Sequence, residues 1–276
     1  MLGIDAGGTY LKFGTFREEN GILEHLNLLP LPYTKEFLTF LIESHSPVLV
    51  TGAGSQAIKA WFSPSKKIEI VPELLATGLG GAYLAHLDKC IVVNIGSGTP
   101  VLYVNRNAGK VEHLGGTGMG SASLVGLGKF LTGISNLDEI SSEALKGKAS
   151  KVNLLIQDIY SDPTVIGLPG NITASNFGKY QDWRHNKPET KPSIQDLLAG
   201  LHSMVGETIA VVSTLASRQK SSEGLPIVVT GGGTMNEALV RELEFTFNYM
   251  KQEYIIPTNA VYGSLTGVFV AKGFLS

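Results

Sequence analysis

Three glycine-rich turns carry the residues of this sequence that are best suited to binding a phosphate group. They are Asp5-Ala6-Gly7-Gly8-Thr9, Asn94-Ile95-Gly96-Ser97-Gly98-Thr99 and Thr230-Gly231-Gly232-Gly233-Thr234, and each follows a short apolar run. Glycine lets backbone N–H groups approach an anion closely, because no Cβ stands in the way. One such turn is weak evidence, since any tight turn favours glycine. Three of them at the ends of predicted strands indicate a phosphate site, because ligands of α/β sheets bind beyond strand ends.

Two common nucleotide-binding signatures do not occur in the sequence. There is no G-x-x-x-x-G-K-[ST] pattern, since Gly128-Lys129 lacks both the upstream glycine and the following hydroxyl residue. There is no G-x-G-x-x-G pattern either. The three turns therefore favour neither a P-loop protein nor a dinucleotide-binding fold.

The elements that must position these turns occur twice along the chain. Strand-like runs at 2–5, 11–16 and 22–29 are joined by polar turns, and the turn at 18–21 predicts a hairpin. Alternating helices and strands then follow to about residue 87. Each copy predicts a mixed sheet with helices on its faces, because the strand meander is antiparallel and the α/β units are parallel.

The second copy begins at Cys90 with three more strands. We therefore predict an N-terminal lobe over 1–88 and a C-terminal lobe over 89–276, with a helical insertion at about 120–220. The segment 161–192 is rich in proline, asparagine and charged residues, which predicts that it crosses the surface.

Composition restricts the class of protein and its partners. The chain has 276 residues, of which 43% are hydrophobic and 17% charged, so it is globular and not disordered. A formal net charge of −2 gives no general basic surface for nucleic acid.

The remaining composition signals are absences. A single cysteine, Cys90, excludes a disulfide within the chain and a zinc site built from cysteines. The histidines show no metal-ligand spacing. The sequence shows no secretory signal and no uninterrupted apolar stretch of roughly 18 residues, so we expect a soluble cytoplasmic protein with no membrane partner.

The three turns resemble the two phosphate loops and the adenosine segment of the actin/sugar-kinase/Hsp70 superfamily. Within it, the chain most closely resembles the type II pantothenate kinases. Gly3 to Thr9 with Lys12 is similar to their N-terminal signature, and 73–80 to their E-F-x-A-x-x-x-G, with Leu74 for phenylalanine. Further similarity covers 94–99 and the glycine-rich 115–120. It also covers a segment peculiar to that family: 158–160, 167–170 and 174–178.

The resemblance implies a duplicated ribonuclease-H-like, actin-like ATPase fold: two lobes with mixed five-stranded sheets and a nucleotide in the cleft. It implies a homodimeric kinase that uses ATP and Mg²⁺ to phosphorylate the primary hydroxyl of pantothenate in coenzyme A synthesis. The residues to which the resemblance assigns ATP binding are Asp5, Gly7, Gly8, Thr9, Lys12, Gly115, Gly116, Gly118, Gly120, Gly231 and Gly232. Asp5 would hold Mg²⁺, through water. Ser97, Thr99 and His113 would contact substrate or phosphate.

Glu73 corresponds to the residue that accepts the proton of the substrate hydroxyl. Pro72-Glu73 is also typical of a helix start, where the helix dipole is expected to stabilise the carboxylate and weaken it as a base. The plain alternatives are a first-turn helix acid for Glu73, a turn cap for Asp5, a solvated lysine for Lys12 and turn chemistry for Ser97 and Thr99.

His113 is a departure from the family pattern, which has an arginine at this position. A histidine is mostly neutral at pH 7 and cannot make the bidentate pairing that arginine makes with a carboxylate. Two alternatives therefore stay open: a sugar or N-acetylhexosamine kinase of the same superfamily, and a non-catalytic ATP-binding metabolite sensor.

Overall fold

The computed structural model describes residues 1–17, 22–62, 67–180, 192–220 and 224–275. The predicted hairpin turn at 18–21 lies outside these residues, as does the 181–191 part of the predicted surface segment.

The first half of the chain forms a five-stranded mixed sheet. Its strands are β1 (Leu2–Ala6), β2 (Tyr10–Arg17), β3 (Ile22–Pro30), β4 (Val48–Thr51) and β5 (Ile68–Ile70). They lie in the order β3-β2-β1-β4-β5; β1–β2 and β2–β3 are antiparallel, and β1–β4 and β4–β5 are parallel. Strand β1 is buried along its whole length, as expected for a central strand covered on both faces.

Three helices accompany the first sheet: α1 (Lys35–Glu43), α2 (Ser55–Phe62) and α3 (Glu73–Leu84). Helix α1 begins where Thr34 Oγ1 accepts a hydrogen bond of 3.2 Å from the Phe37 N–H, which satisfies one free amide of the first turn. Leu38 and Ile42, one helical turn apart, are buried in the core of the first sheet. This i, i+4 spacing is typical of an amphipathic helix.

The second half repeats the architecture. Its strands are β6 (Lys89–Asn94), β7 (Thr99–Asn105), β8 (Lys110–Thr117), β9 (Leu154–Leu155), β10 (Thr173–Ser175), β11 (Ile227–Thr230) and β12 (Tyr254–Ile255). The main sheet has the order β12-β11-β6-β7-β8, while β9 and β10 form a small separate pair. The prediction of two mixed five-stranded sheets is confirmed.

The helices of the second half are α4 (Ser121–Thr132), α5 (Leu137–Lys146), α6 (Ile156–Ile159), α7 (Ile194–Lys220), α8 (Glu237–Tyr249) and α9 (Gly263–Val270). Helix α7 is long and apolar enough to cross a membrane, but 67% of its apolar window is buried inside the protein. It packs in the core with α5, α8 and the second sheet, so it is a core helix.

Helices α3 and α9 each pack on the sheet of the other half of the chain. In α3, Leu79 and Ala82 lie in a cluster with Val92 and Leu102 of the second sheet. In α9, Phe269 packs near Gly3 of β1 and beside Phe16 of β2. The lobe boundary at residue 88 stays a prediction. It places α3 in the N-terminal lobe and α9 in the C-terminal lobe, although each helix packs on the sheet of the other half.

The two helices also touch each other at glycines. A Cβ added to Gly267 of α9 would overlap the carbonyl oxygen of Ala76 in α3, and one added to Gly80 would overlap that of Gly263. This close approach fixes α3 and α9 against each other between the two sheets.

Candidate active site

A cleft of about 620 Å³ lies where the three glycine-rich turns meet. The turns follow β1, β6 and β11, the central strand of the first sheet and two adjacent strands of the second. A Cβ on Gly8 would lie 3.1 Å from Ser97 Oγ, and one on Gly232 would lie 3.9 Å from the ring of Tyr10. The first turn therefore contacts the second, and the residue after it contacts the third.

Most of the site residues predicted from the sequence line this cleft. They are Asp5, Gly7, Gly8, Thr9, Lys12, Glu73, Ser97, Thr99, His113, Gly116, Gly118 and Gly232. Three others, Gly115, Gly120 and Gly231, are not part of the lining. A Cβ at Gly120 would lie 2.6 Å from the Ser97 carbonyl oxygen, and Gly231 has a φ of 91°. These two glycines therefore allow the backbone conformation of the turns and do not themselves line the cleft.

Asp5 and Lys12 form a buried ion pair at the base of the cleft. They face each other across the antiparallel ladder of β1 and β2, with Lys12 Nζ 2.9 Å from Asp5 Oδ2. Only 4% of Asp5 and 9% of Lys12 is exposed. Each charge compensates the other, because a buried charge without a partner is strongly unfavourable.

The carboxylate of Asp5 suits Mg²⁺ better than a transition metal. Among the described residues no group of three or more His, Cys, Asp or Glu side chains could hold a metal ion. Mg²⁺ needs no such group, since it is usually held by one or two carboxylates, substrate phosphates and water. The carboxylate of Asp5 beside three glycine-rich turns fits that pattern.

Glu73 is the first residue of α3 and faces the cleft. Although its side chain reaches solvent, partial burial in the cleft raises its pKa; the carboxylate of Asp5 adds to the rise and Lys12 partly offsets it. This direction is opposite to the one expected from the helix start alone. Burial and the nearby carboxylate of Asp5 raise the affinity of Glu73 for a proton.

The side chains of Thr99 and His113 differ in what they offer the cleft. Thr99 is 2% exposed, and its hydroxyl donates a hydrogen bond of 2.8 Å to the Met119 carbonyl oxygen, so it joins β7 to the glycine-rich stretch after β8. His113 lies on β8 in an exposed position at the edge of the cleft.

Several lining residues were not singled out from the sequence. Thr77 lies one turn after Glu73, and its Oγ1 is 2.9 Å from Ser264 Oγ of α9, so two hydroxyls meet on the wall of the cleft. The i, i+4 relation to Glu73 could have indicated Thr77. Ser264 gave no such signal, because it is 187 residues away in the chain. Asn94, the last residue of β6, also lines the cleft.

Comparison with known proteins gives consistent matches. The family model described as Fumble matches residues 39–264. A type II pantothenate kinase of Oceanobacillus iheyensis is 32% identical over 250 residues, which cover 87% of this chain and 87% of that protein.

Solved structures share the fold at low sequence identity. Component A of (R)-2-hydroxyglutaryl-CoA dehydratase from Acidaminococcus fermentans has a TM-score of 0.64 and 15% identity, with 99% of this chain and 98% of that chain covered. The activator of 2-hydroxyisocaproyl-CoA dehydratase from Clostridium difficile, solved with bound ADPNP, has a TM-score of 0.61 and 16% identity; 99% and 95% are covered. These matches confirm the predicted two-lobed actin-like ATPase fold.

Proposed function

This chain belongs to the Fumble family of type II pantothenate kinases, and on that premise we propose that it transfers the γ-phosphoryl group of ATP to the primary hydroxyl of pantothenate. The product is 4'-phosphopantothenate, and the reaction is the first step of coenzyme A synthesis. The observation that carries the proposal is the meeting of three glycine-rich turns around one cleft that also contains Glu73.

Glu73 accepts the proton of the substrate hydroxyl as the hydroxyl oxygen attacks the γ-phosphorus and the bond to the β,γ-bridging oxygen breaks, which releases ADP. Phosphoryl transfer depends more on positioning and on neutralising charge than on strong basicity. The raised pKa of Glu73 nevertheless helps, because it brings the carboxylate closer to the working pH of a general base. In the free protein burial is the main cause of the rise, Asp5 adds to it and Lys12 partly offsets it.

The nucleotide lies along the glycine-rich turns. We assign its phosphates to Gly7, Gly8 and Thr9 of the first turn and to Lys12, which neutralises the transferring group. The adjoining glycines Gly116, Gly118 and Gly232 line the cleft, Gly120 and Gly231 approach neighbouring backbone too closely for a Cβ, and Gly115 has a φ of 141°. Asp5 would hold Mg²⁺ through water, and the ion when bound neutralises phosphate oxygens.

The substrate lies between Glu73 and the second turn. Ser97 and His113 line the part of the cleft that it would occupy, and Thr99 holds the backbone there through its bond to Met119. Because His113 stands where the family has arginine, its contribution to holding the pantothenate carboxylate needs a direct test.

We also propose that the protein is a cytoplasmic homodimer. The outer face of α8 supports this, since it exposes Phe245 and Tyr249 beside a small cavity of about 120 Å³, and exposed apolar patches often mark interfaces. Sedimentation analysis of the wild type and of Phe245→Asp would test it. A monomeric wild type would contradict the proposal.

A coupled assay of ADP release tests the reaction itself. The substrates are pantothenate, pantetheine and N-acetylglucosamine, each with ATP and Mg²⁺, and the product is identified by mass spectrometry. We expect phosphorylation of pantothenate. Turnover of the amino sugar alone would support the sugar-kinase alternative, and nucleotide binding without turnover of any substrate would support a metabolite sensor.

A further inference from the structure

Asn94 occupies in the second half of the fold the position that Asp5 occupies in the first. Each residue lies at the carboxyl end of the central strand of its sheet, Asp5 as the last but one residue of β1 and Asn94 as the last residue of β6. Each faces a threonine on the neighbouring parallel strand: Asp5 faces Thr51 and Asn94 faces Thr230.

The glycine after each threonine repeats the geometry in detail. Gly52 has a φ of 87° and Gly231 one of 91°, a region that side chains rarely adopt. A Cβ at Gly52 would lie 2.7 Å from Asp5 Oδ1, and one at Gly231 would lie 2.7 Å from Asn94 Oδ1. The two strand ends are therefore structural equivalents within one chain.

The two equivalent positions differ in charge. Asp5 faces Lys12 on the antiparallel neighbour, and the two form the buried ion pair. In the second half Val93 pairs with Val101, and the same register continued by one residue places Asn94 opposite Pro100. Both members of the ion pair are thus replaced together by uncharged residues.

The amide of Asn94 has its two ends in different surroundings. Its Oδ1 accepts a hydrogen bond of 3.2 Å from Thr230 Oγ1, which directs the carbonyl end towards the third turn. Its Nδ2 lies 3.9 Å from the position of a Cβ on Gly96, in the second turn. Asn94 is half-buried and lines the cleft, so its N–H groups remain beside the second turn.

We propose that Asn94 is a specificity-determining residue that donates a hydrogen bond from its amide to the phosphate chain of the nucleotide. This inference rests on the proposed nucleotide site. A carboxylate at position 94 would meet the polyphosphate without a lysine opposite to compensate it. The first half therefore supplies the charges of the phosphate site and the second half supplies neutral donors.

Nucleotide affinity measured by calorimetry tests this role without turnover. The probes are a non-hydrolysable ATP analogue with Mg²⁺ and, separately, adenosine. Asn94→Asp keeps the shape of the side chain and exchanges the donor for a charge, so we expect the analogue to bind at least tenfold more weakly. Adenosine, which has no phosphate, should bind both proteins equally.

Two further variants make the result specific. Asn94→Ala removes the donor without adding charge and should weaken binding of the analogue by a smaller factor, about three- to tenfold. Asn105→Asp makes the same chemical change at the opposite end of β7, where Asn105 Oδ1 accepts a bond from the Ala108 N–H, and should leave binding unchanged.

The possible outcomes separate this inference from the proposed function. Binding of the analogue within twofold of wild type in Asn94→Asp overturns it, and the Asn94→Ala result decides in the same way if the aspartate variant does not fold. A wild type that binds the analogue but phosphorylates none of the test substrates contradicts the kinase and leaves the role of Asn94 intact. A wild type that does not bind the analogue overturns both.

Discussion

Burial raises the pKa of Glu73, and the carboxylate of Asp5, which lines the same cleft from a different element of the first half, raises it further. Burial is the larger cause and Lys12 acts in the opposite direction. The pKa of the candidate base thus depends on both members of the ion pair beside the glycine-rich turns.

Glu73→Gln should lose most of its turnover while still binding the nucleotide. The amide keeps the shape of the side chain but cannot accept the proton, and general-base contributions amount to about 10²–10⁴-fold. Steady-state kinetics and calorimetry measure the two effects. Glu237→Gln is the matched control, because Glu237 is also the first residue of its helix and is absent from the cleft lining. A Glu73→Gln variant with more than about a tenth of the wild-type rate would contradict the base role.

The same variant should not be less stable at neutral pH. A carboxyl group whose pKa is raised on folding disfavours the folded state above that pKa, and this cost disappears below the unfolded value of 4.5. Glu73→Gln should therefore melt at or above the wild-type temperature at pH 7, with the difference vanishing at pH 4. A lower melting temperature at pH 7 alone would mean that the ionised carboxylate stabilises the fold.

His113→Arg should lower the KM for pantothenate, and His113→Ala should raise it. A charged hydrogen bond is worth about 1.5–3 kcal/mol, which corresponds to roughly a ten- to hundredfold change in affinity. Pantetheine has no carboxylate, so its KM should change little in either variant. Equal KM values for pantothenate in all three proteins would place His113 outside the substrate contact.

His202 should make the protein sensitive to acid. It is fully buried, and burial lowers its pKa from 6.5 to about 4. Its ring hydrogen-bonds the Leu198 carbonyl oxygen and Asn236. The unfolded chain takes up a proton near pH 6.5 and the folded chain only near pH 4, so stability falls between these values by about 3 kcal/mol.

The urea midpoint measured from pH 7 to pH 4.5 tests this dependence on His202. His202→Gln should flatten the fall even if it lowers stability at pH 7. His45→Gln, at a partly exposed position, should leave the fall unchanged. A fall of the same size in His202→Gln would assign it to other groups.

Gly80→Ala should be strongly destabilising. Its new Cβ would overlap the Gly263 carbonyl oxygen where α3 and α9 touch, and overpacking typically costs about 1–3 kcal/mol. Gly126→Ala, in the middle of α4 with nothing within 4 Å, should instead gain about 1 kcal/mol of helix propensity. Thermal denaturation of both variants provides the comparison. Similar melting temperatures would show that α3 and α9 can separate without cost.

The strand ends and turns could be predicted from the sequence, because glycine-rich turns after apolar runs are local signals. The family resemblance identified Glu73, also from a short stretch of sequence, 73–80. The pKa of Glu73 could not be predicted from its neighbours in the chain. The helix start alone indicates a lowered pKa, whereas burial in the cleft and the carboxylate of Asp5, which is distant in the chain, raise it. Ser264 and the relation of Asn94 to Asp5 depend on how the two halves pack, and no short stretch of sequence contains that information.

The packing of α3 on the second sheet and of α9 on the first sheet has a consequence for how the chain can be divided. A fragment ending at residue 88 would contain α3 without the second sheet and would expose Leu79, which the whole chain buries. The remaining fragment would contain α9 without β1 and would expose Phe269. We therefore expect that the two halves, although they repeat one architecture, do not fold independently. The intact chain should therefore unfold in one cooperative transition, and the halves should acquire structure only when they are mixed.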